Sequence, residues 1–361
     1  MTAPLETKSK LPEWVVREDI ADTLPAKDQE QTVSLVIPCN HSTEELLTLL
    51  KGVSKQSRLP DEVLVVRSGL PGVTENTIRF SPLSLPDQPL DETLSLLIAH
   101  TQVCDLVSAY PGKARNIGVE HSSGSLIAFL DVKTIPEENW LALAGETLTT
   151  PSIDGVWGSR IYQANSLLAG LVRDAIYGRK PVKSVAGTVC RREVFSATGA
   201  MIPWVPAGED GDWIHRVNAH RLAFVLPRNA NHRYYGLDNK PLSFFVRKWW
   251  RYYHYSRMLP VNNRDRWLAH VLLYLLIVFF AFNWNYKISG YLLGSPLVVP
   301  HITTTIAIGG PVMYTFVRTI FLPLKRGTPL KHIFPFRFSL LFLTASTLDL
   351  VKLVALLKPA R

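Results

Sequence analysis

Two stretches in the last third of the chain set the terms for the rest. Trp267 to Tyr286 runs for twenty residues, and Ile288 to Val317 for thirty, without one Asp, Glu, Lys or Arg. A run of about 20 apolar residues matches the hydrocarbon thickness of a bilayer. The second run is interrupted by Pro296, Pro300 and Pro311, which suits a re-entrant piece followed by a span, or one broken helix. A third apolar stretch, Arg337 to Leu357, holds Asp349 and Lys352 three apart on one face; an interfacial amphipathic helix and a third span both fit it. Basic residues flank the first two runs: Arg247, Lys248, Arg251, Arg257, Arg264 and Arg266 before them, and Lys325, Arg326, Lys331 and Arg337 after. A two-span hairpin puts both clusters on the cytoplasmic side and leaves residues 1–260 in the cytosol. The Trp249-Trp250 and Tyr252-Tyr253 pairs suit the headgroup layer.

The charge balance agrees. The net charge of +9 over 361 residues is an average of two unlike parts. Residues 1–238 carry 23 basic and 28 acidic side chains, net −5, and residues 239–361 carry 16 and 2, net +14. A basic excess on the apolar part points to anionic membrane lipids. A nucleic-acid binder would carry it on the soluble part, so no nucleic-acid partner is expected. Three cysteines (Cys39, Cys104, Cys190) are too few and too scattered for a disulfide or zinc framework. Residues 1–31 lack the apolar core of a signal peptide and read as a loosely ordered arm. A soluble domain over 32–240, a basic aromatic juxtamembrane segment over 241–266 and a membrane region over 267–361 follow.

From Val33 onward the pattern alternates between strand and helix. Val33–Ile37 is a buried strand stopped by Pro38, Thr43–Lys55 a helix, and Glu62–Val66 a second strand. Residues 68–92 read as loop, Leu94–Ala99 as a third strand, Gly112–His121 as a helix and Leu126–Leu130 as a fourth strand that ends on Asp131. A helix over 137–150, a strand over 155–161 and short helices over 193–197 and 210–220 complete the α/β reading. Such alternation implies a Rossmann-like, mostly parallel sheet, which binds ligands at the carboxyl ends of its strands, where Asp131 lies.

Four segments carry chemistry in a fixed order: Val33–Pro38, Lys113-Ala114-Arg115-Asn116, Phe129-Leu130-Asp131-Val132-Lys133-Thr134-Ile135-Pro136 and Gly208-Glu209-Asp210-Gly211-Asp212-Trp213. Cys190-Arg191-Arg192-Glu193-Val194-Phe195 precedes the last of these, and His232 follows it. Together they resemble family 2 glycosyltransferases of the GT-A (nucleotide-diphospho-sugar transferase) fold over about residues 33–260: a strand ending in "IP", an "ARN" helix, "FLDxDxxP", "RRxxF" and an "ED" pair. In this family a C-terminal membrane region is also common.

The resemblance implies an inverting transfer from a nucleotide-sugar donor to a hydroxyl acceptor near the membrane surface, lipid-linked or small. Asp210 is the general base it implies, with Glu209 holding acceptor or loop contacts. Pro38, Asn40, Arg67, Arg115, Asn116, Asp131 and Lys133 take donor-pocket positions, and Asp212, Trp213, His232 and Arg247 take acceptor or diphosphate positions. Plainer roles stand beside these. Glu209, Asp210 and Asp212 suit a helix N-terminus, Arg115 a surface ion pair, Asn116 a turn near Asp131, and His232 a satisfied core histidine. Trp204 and Trp213 suit sugar stacking or core packing, and Arg247 suits lipid headgroups.

Three positions depart from the family pattern. Lys133 replaces the second Asp of the DxD motif, which holds Mg²⁺ or Mn²⁺, so Asp131 is left to contact the nucleotide ribose or a metal's water shell, and a weakened metal dependence is expected. The Lys133 ammonium is itself a candidate phosphate counter-charge. Arg67 replaces an acidic base-reading residue, and Cys39-Asn40-His41 stands in place of Tyr-Asn. These departures also admit an inactive glycosyltransferase-like membrane scaffold or partner subunit. A processive synthase is disfavoured, because two or three spans are too few for a channel.

Overall fold

The computed structural model describes residues 14–15, 31–40, 42–69, 73, 77–84, 90–255, 259, 274–276, 279 and 302–357. It divides into two compact units, Met1–Ala164 with Lys180–Asp238, and Asn165–Arg179 with Asn239–Arg361.

The first unit is an α/β layer structure. Its strands are β1 (Trp14–Val15), β2 (Val33–Cys39), β3 (Glu62–Ser68), β4 (Ser81–Pro82), β5 (Thr101–Leu106), β6 (Leu126–Phe129), β7 (Thr134–Pro136), β8 (Gly155–Tyr162), β9 (Val182–Arg191), β10 (Phe224–Pro227) and β11 (His232–Tyr234). They form a sheet in the order β1-β10-β8-β9-β6-β2-β3-β5-β4, with β11 pairing β7 and β8. The centre, β6-β2-β3-β5, is parallel throughout. Strand β9 runs antiparallel between β6 and β8, so β6 and β8 point the same way and their carboxyl ends share one edge.

Helices α1 (Thr43–Val53), α2 (Glu92–Ala99), α3 (Pro111–His121) and α4 (Trp140–Leu148) cross between strands, and α6 (Glu193–Thr198) and α7 (Glu209–Ala219) follow β9. Leu46, Leu49, Leu50 and Val53 of α1 pack with Leu35, Ile37, Val63 and Val65 in one core cluster. The other face carries an aromatic cluster in which Phe129, Trp157, Phe195, Trp213 and Phe224 meet edge-on or stacked.

One expected strand is a helix. Residues 94–99 lie in α2, because Asp91 accepts the Leu94 N–H (2.8 Å) as an N-cap and Leu94 and Leu97 bury one turn apart. The strand proper is the next segment, β5, whose Thr101, Val103, Cys104 and Leu106 are buried. A second difference is that Asn165–Arg179 belongs to the second unit although it falls inside the expected 32–240 domain. There α5 (Leu167–Val172) and the π-helical turn Arg173–Tyr177 bury Leu171 and Ala175 against Ile333, Leu341 and Ala345.

The rest of the second unit consists of α8 (Leu242–Tyr255), α9 (Ile302–Phe316), a π-helical turn at Val317–Phe321, α10 (Leu322–Lys325) and α11 (Phe338–Leu357). Most of the expected span 267–286, and residues 288–301 of the second, lie outside the described residues. Among those described, Phe338–Leu356 is long and apolar enough to cross a membrane, with mean hydropathy 1.7 and about a third of it buried. Its apolar residues go all round: Leu341, Ala345 and Leu348 are buried, and Leu340, Leu343 and Leu350 are exposed. In its middle, Asp349 is held by Arg318 (2.5 and 3.0 Å), Lys352 (2.8 Å) and the Tyr314 hydroxyl (3.0 Å). Charges inside an apolar helix pair in this way because an unpaired one costs several kcal/mol.

Gly187 sits at φ +82° in β9, and a Cβ there would run into the His232 ring. Gly187→Ala is therefore expected to destabilise the full chain by about 1–3 kcal/mol, read as a lowered melting midpoint in detergent.

Candidate active site

The parallel strands bring Asn40, Arg67, Asp105, Asp131 and Arg160 to one edge of the sheet, at or just past their strands' carboxyl ends. Asp131 is its electrostatic centre. Arg115 Nη2 donates to Asp131 Oδ1 (3.0 Å) and Arg160 Nη2 to Oδ2 (2.7 Å). Arg115 Nη1 also reaches Glu209 Oε1 (2.8 Å), so one guanidinium from α3 joins a strand end to the first turn of α7. The two guanidinium groups hold the Asp131 carboxyl far below the usual carboxylate range, against the opposing effect of burial. Glu209 moves the other way. Burial, with Asp210 beside it, pushes it up to about 7 despite Arg115.

Each arginine is itself held in place. Asn116 Nδ2 donates to the Met201 carbonyl (2.7 Å) and its Oδ1 accepts the Met201 N–H (2.8 Å), which ties α3 to the chain leading into α7. Arg160 is set by register: His232 on β11 lies opposite it on β8, and Arg160 Nε donates to His232 Nε2 (3.1 Å). His232 Nδ1 faces Asn231 Oδ1 (2.7 Å), and Asn231 Nδ2 donates to Gly187 O and Trp157 O. With Nδ1 bonded to a carbonyl oxygen, the proton belongs on Nδ1 and the Nε2 lone pair accepts from Arg160. Burial and the adjacent Arg160 keep this imidazole neutral. The Tyr162 and Tyr234 rings flank the guanidinium at 5.9 and 5.3 Å.

Asp210 is different. It is half-buried, its Oδ1 accepts the Gly211 N–H (2.7 Å), and among the described residues it makes no ion pair. It is thus a carboxylate in the first turn of α7, next to a strongly organised cluster.

Several expected site residues have other work. Trp213 is fully buried in the aromatic cluster, with Nε1 donating to Thr198 Oγ1 (3.1 Å), so it cannot stack on a ligand. Asp212 is buried and accepts from Arg216 (2.9 Å), which in turn caps carbonyls at 198–200. His232, fully buried, orients Arg160 and has no surface for a diphosphate. Asn116 is a brace. The Lys133 ammonium, mostly buried, pairs with Glu45 of α1 (3.1 Å). Arg67 makes a two-bonded pair with Asp105 (2.6 and 2.8 Å). Pro38 and Asn40 lie at the end of β2, and Arg247 lies on α8 of the second unit. Exposed Trp204 sits between α6 and α7.

Three residues escaped the sequence reading. Asp105 was hidden by the displaced strand, although the alternation in Thr101–Leu106 signals it. Arg160 was signalled by an arginine near the end of a strand that was recognised. Glu45 had only its place in the first turn of α1.

A divalent cation does not fit this donor set. Both Asp131 oxygens are taken by arginines, position 133 is a lysine, and among the described residues no three His, Cys, Asp or Glu side chains come together as a metal-ligating group.

Because Glu209 binds its proton more tightly folded than unfolded, the folded state holds the extra proton between about pH 4.5 and 7. The contribution of this group to stability therefore falls as pH rises through that window. Glu209→Gln is expected to flatten that part of the profile, read as melting midpoint against pH. Arg115→Met leaves two carboxylates without their shared cation and is expected to cost about 3–5 kcal/mol in the same assay.

No protein-family model matches the chain. It is 26% identical over 196 residues to the glycosyltransferase AglE of Haloferax volcanii, a match covering 51% of this chain and 60% of that protein. The chain thus spans about three-fifths of the length of this curated relative. Among solved structures it is similar to the mannosyltransferase PcManGT from Pyrobaculum calidifontis in complex with GDP-Man and Mn²⁺, with TM-score 0.50 and 13% identity over 98% of this chain and 92% of that one. In sequence the chain resembles a glycosyltransferase, and its fold is one that glycosyltransferases have.

Proposed function

We propose that the protein is a membrane-associated, inverting hexosyltransferase of the family 2 type, with a cytosolic GT-A domain and Asp210 as general base. The observation that carries this reading is the first turn of α7. Glu209 is locked to Arg115, Asp212 is locked to Arg216, and Asp210 between them makes no ion pair. The relationship to AglE supplies the reaction class, and the GDP-Man held by the mannosyltransferase supports a nucleotide-sugar donor.

The reaction balances on these groups. An acceptor hydroxyl approaches the anomeric carbon opposite the nucleotide. Its oxygen forms the new bond to that carbon as the bond to the β-phosphate oxygen breaks. The electron pair leaves with the nucleoside diphosphate, and the hydroxyl proton passes to Asp210. Attack from the opposite face inverts the anomeric centre. The apolar α11 and the basic C-terminal third support holding the site near anionic lipids of the cytoplasmic membrane, where a lipid-linked or small hydroxyl acceptor is concentrated.

The pairing of Arg67 with Asp105 and of Lys133 with Glu45 favours one competing reading, a glycosyltransferase-like scaffold whose donor pocket is closed by its own ion pairs. One variant separates the two. Asp210→Asn is expected to cut release of nucleoside diphosphate by about 10²–10⁴-fold while donor binding by calorimetry stays within about threefold, a change under 1 kcal/mol. A wild-type chain that binds no nucleotide-sugar in a donor screen supports the scaffold.

A further inference from the structure

We propose that this protein meets the departing diphosphate with the paired guanidinium groups of Arg160 and Arg115, in place of a divalent metal ion. This rests on the glycosyltransferase reading above and adds to it which charge receives the leaving group.

The carboxylates available for a metal are already spent. Asp131 gives one oxygen to each arginine, and where the second metal-holding Asp of the motif is expected stands Lys133, itself paired with Glu45. The positive charge that remains is therefore fixed on guanidinium groups. Their placement is costly and specific. Arg115 and Arg160 have side chains only 7% and 12% exposed, whereas Asp131, which they share, is 29% exposed. The carboxylate is thus the more exposed end of the cluster, and a diphosphate reaches the arginines through the N–H groups that Asp131 leaves free. Arg160 cannot swing away, because His232 holds its Nε and two tyrosine rings flank its plane.

The donor count leaves room for such a ligand. Arg115 Nε is buried and has no acceptor among the described residues. Arg160 uses Nε on His232, Nη2 on Asp131 and a further hydrogen bond to Tyr162, out of the five N–H groups of a guanidinium. Phosphate oxygens only accept, and a planar fork of donors suits them. A departing diphosphate gains negative charge as the glycosidic C–O bond breaks, and fixed guanidinium groups in a buried site stabilise that charge with no reorganisation. His232 is then a positioning residue that acts through Arg160.

The test is calorimetric binding of GDP, UDP, dTDP and CDP to the full chain in detergent, with excess EDTA or excess MnCl₂. For the nucleotide that binds, the affinity is expected to agree within about threefold between the two conditions, a difference under 1 kcal/mol. Arg160→Lys keeps the charge but loses the fork, and is expected to weaken binding about 10- to 100-fold in both conditions, the loss of one or more charge-assisted hydrogen bonds. His232→Asn is expected to weaken binding in the same direction in both conditions. Binding that vanishes in EDTA and returns with Mn²⁺ overturns the inference and leaves the glycosyltransferase reading standing. So does an Arg160→Lys variant that binds as tightly as wild type. Failure of the wild type to bind any of the four in either condition overturns both.

Discussion

Two arginines share one carboxylate, and much of the first unit exists to hold that arrangement. Burying a guanidinium costs several kcal/mol unless an anion and fixed hydrogen bonds offset it. Asp131 supplies the anion for both, and Glu209 accepts a further hydrogen bond from Arg115. The neighbouring structure then fixes the geometry: Asn116 braces α3 against Met201, Asn231 sets the His232 tautomer, and Gly187 makes space for that ring. A mixed sheet is needed for this, because only the antiparallel insertion of β9 places β8, and so Arg160, parallel to β6 on the same edge.

The same physics recurs in the second unit. Arg318, Asp349 and Lys352 form a mostly buried ionic knot on apolar helices, and Lys352 also lies over the Trp249 and Tyr253 rings. Among the described residues of both units, the buried acidic and arginine side chains each have a partner of opposite sign within about 3 Å. Asp210, by contrast, makes no ion pair among the described residues.

Much of the fold was legible in the residues. Strand β2 begins at Val33, α1 begins at Thr43, and β6 over Leu126–Phe129 leads to Asp131, all as local pattern expects, although β2 runs on through Pro38 to Cys39. Residues 94–99 suit a strand or a helix equally, because Leu, Leu, Ile and Ala fit either period over so short a run. Only the Asp91 cap and the burial of Leu94 with Leu97 resolve it. The site was legible as a set of positions and less so as a set of roles. Trp213 and Asp212 stand beside Asp210 in sequence, but successive helix positions point about 100° apart, so one faces the core, one faces Arg216 and one faces out.

The sequence by itself determined the alternating α/β order, the split between an acidic domain and a basic apolar third, and the motif order that marks Asp131 and Asp210. These depend on residues near one another along the chain, where periodicity and composition carry the information. Only the tertiary structure decided the charge partners. Arg67 meets Asp105, Lys133 meets Glu45, and Arg160 meets Asp131 and His232, across separations of 38, 88, 29 and 72 residues. Strand register and crossover geometry set those distances, and no local pattern encodes which cation will face which carboxylate.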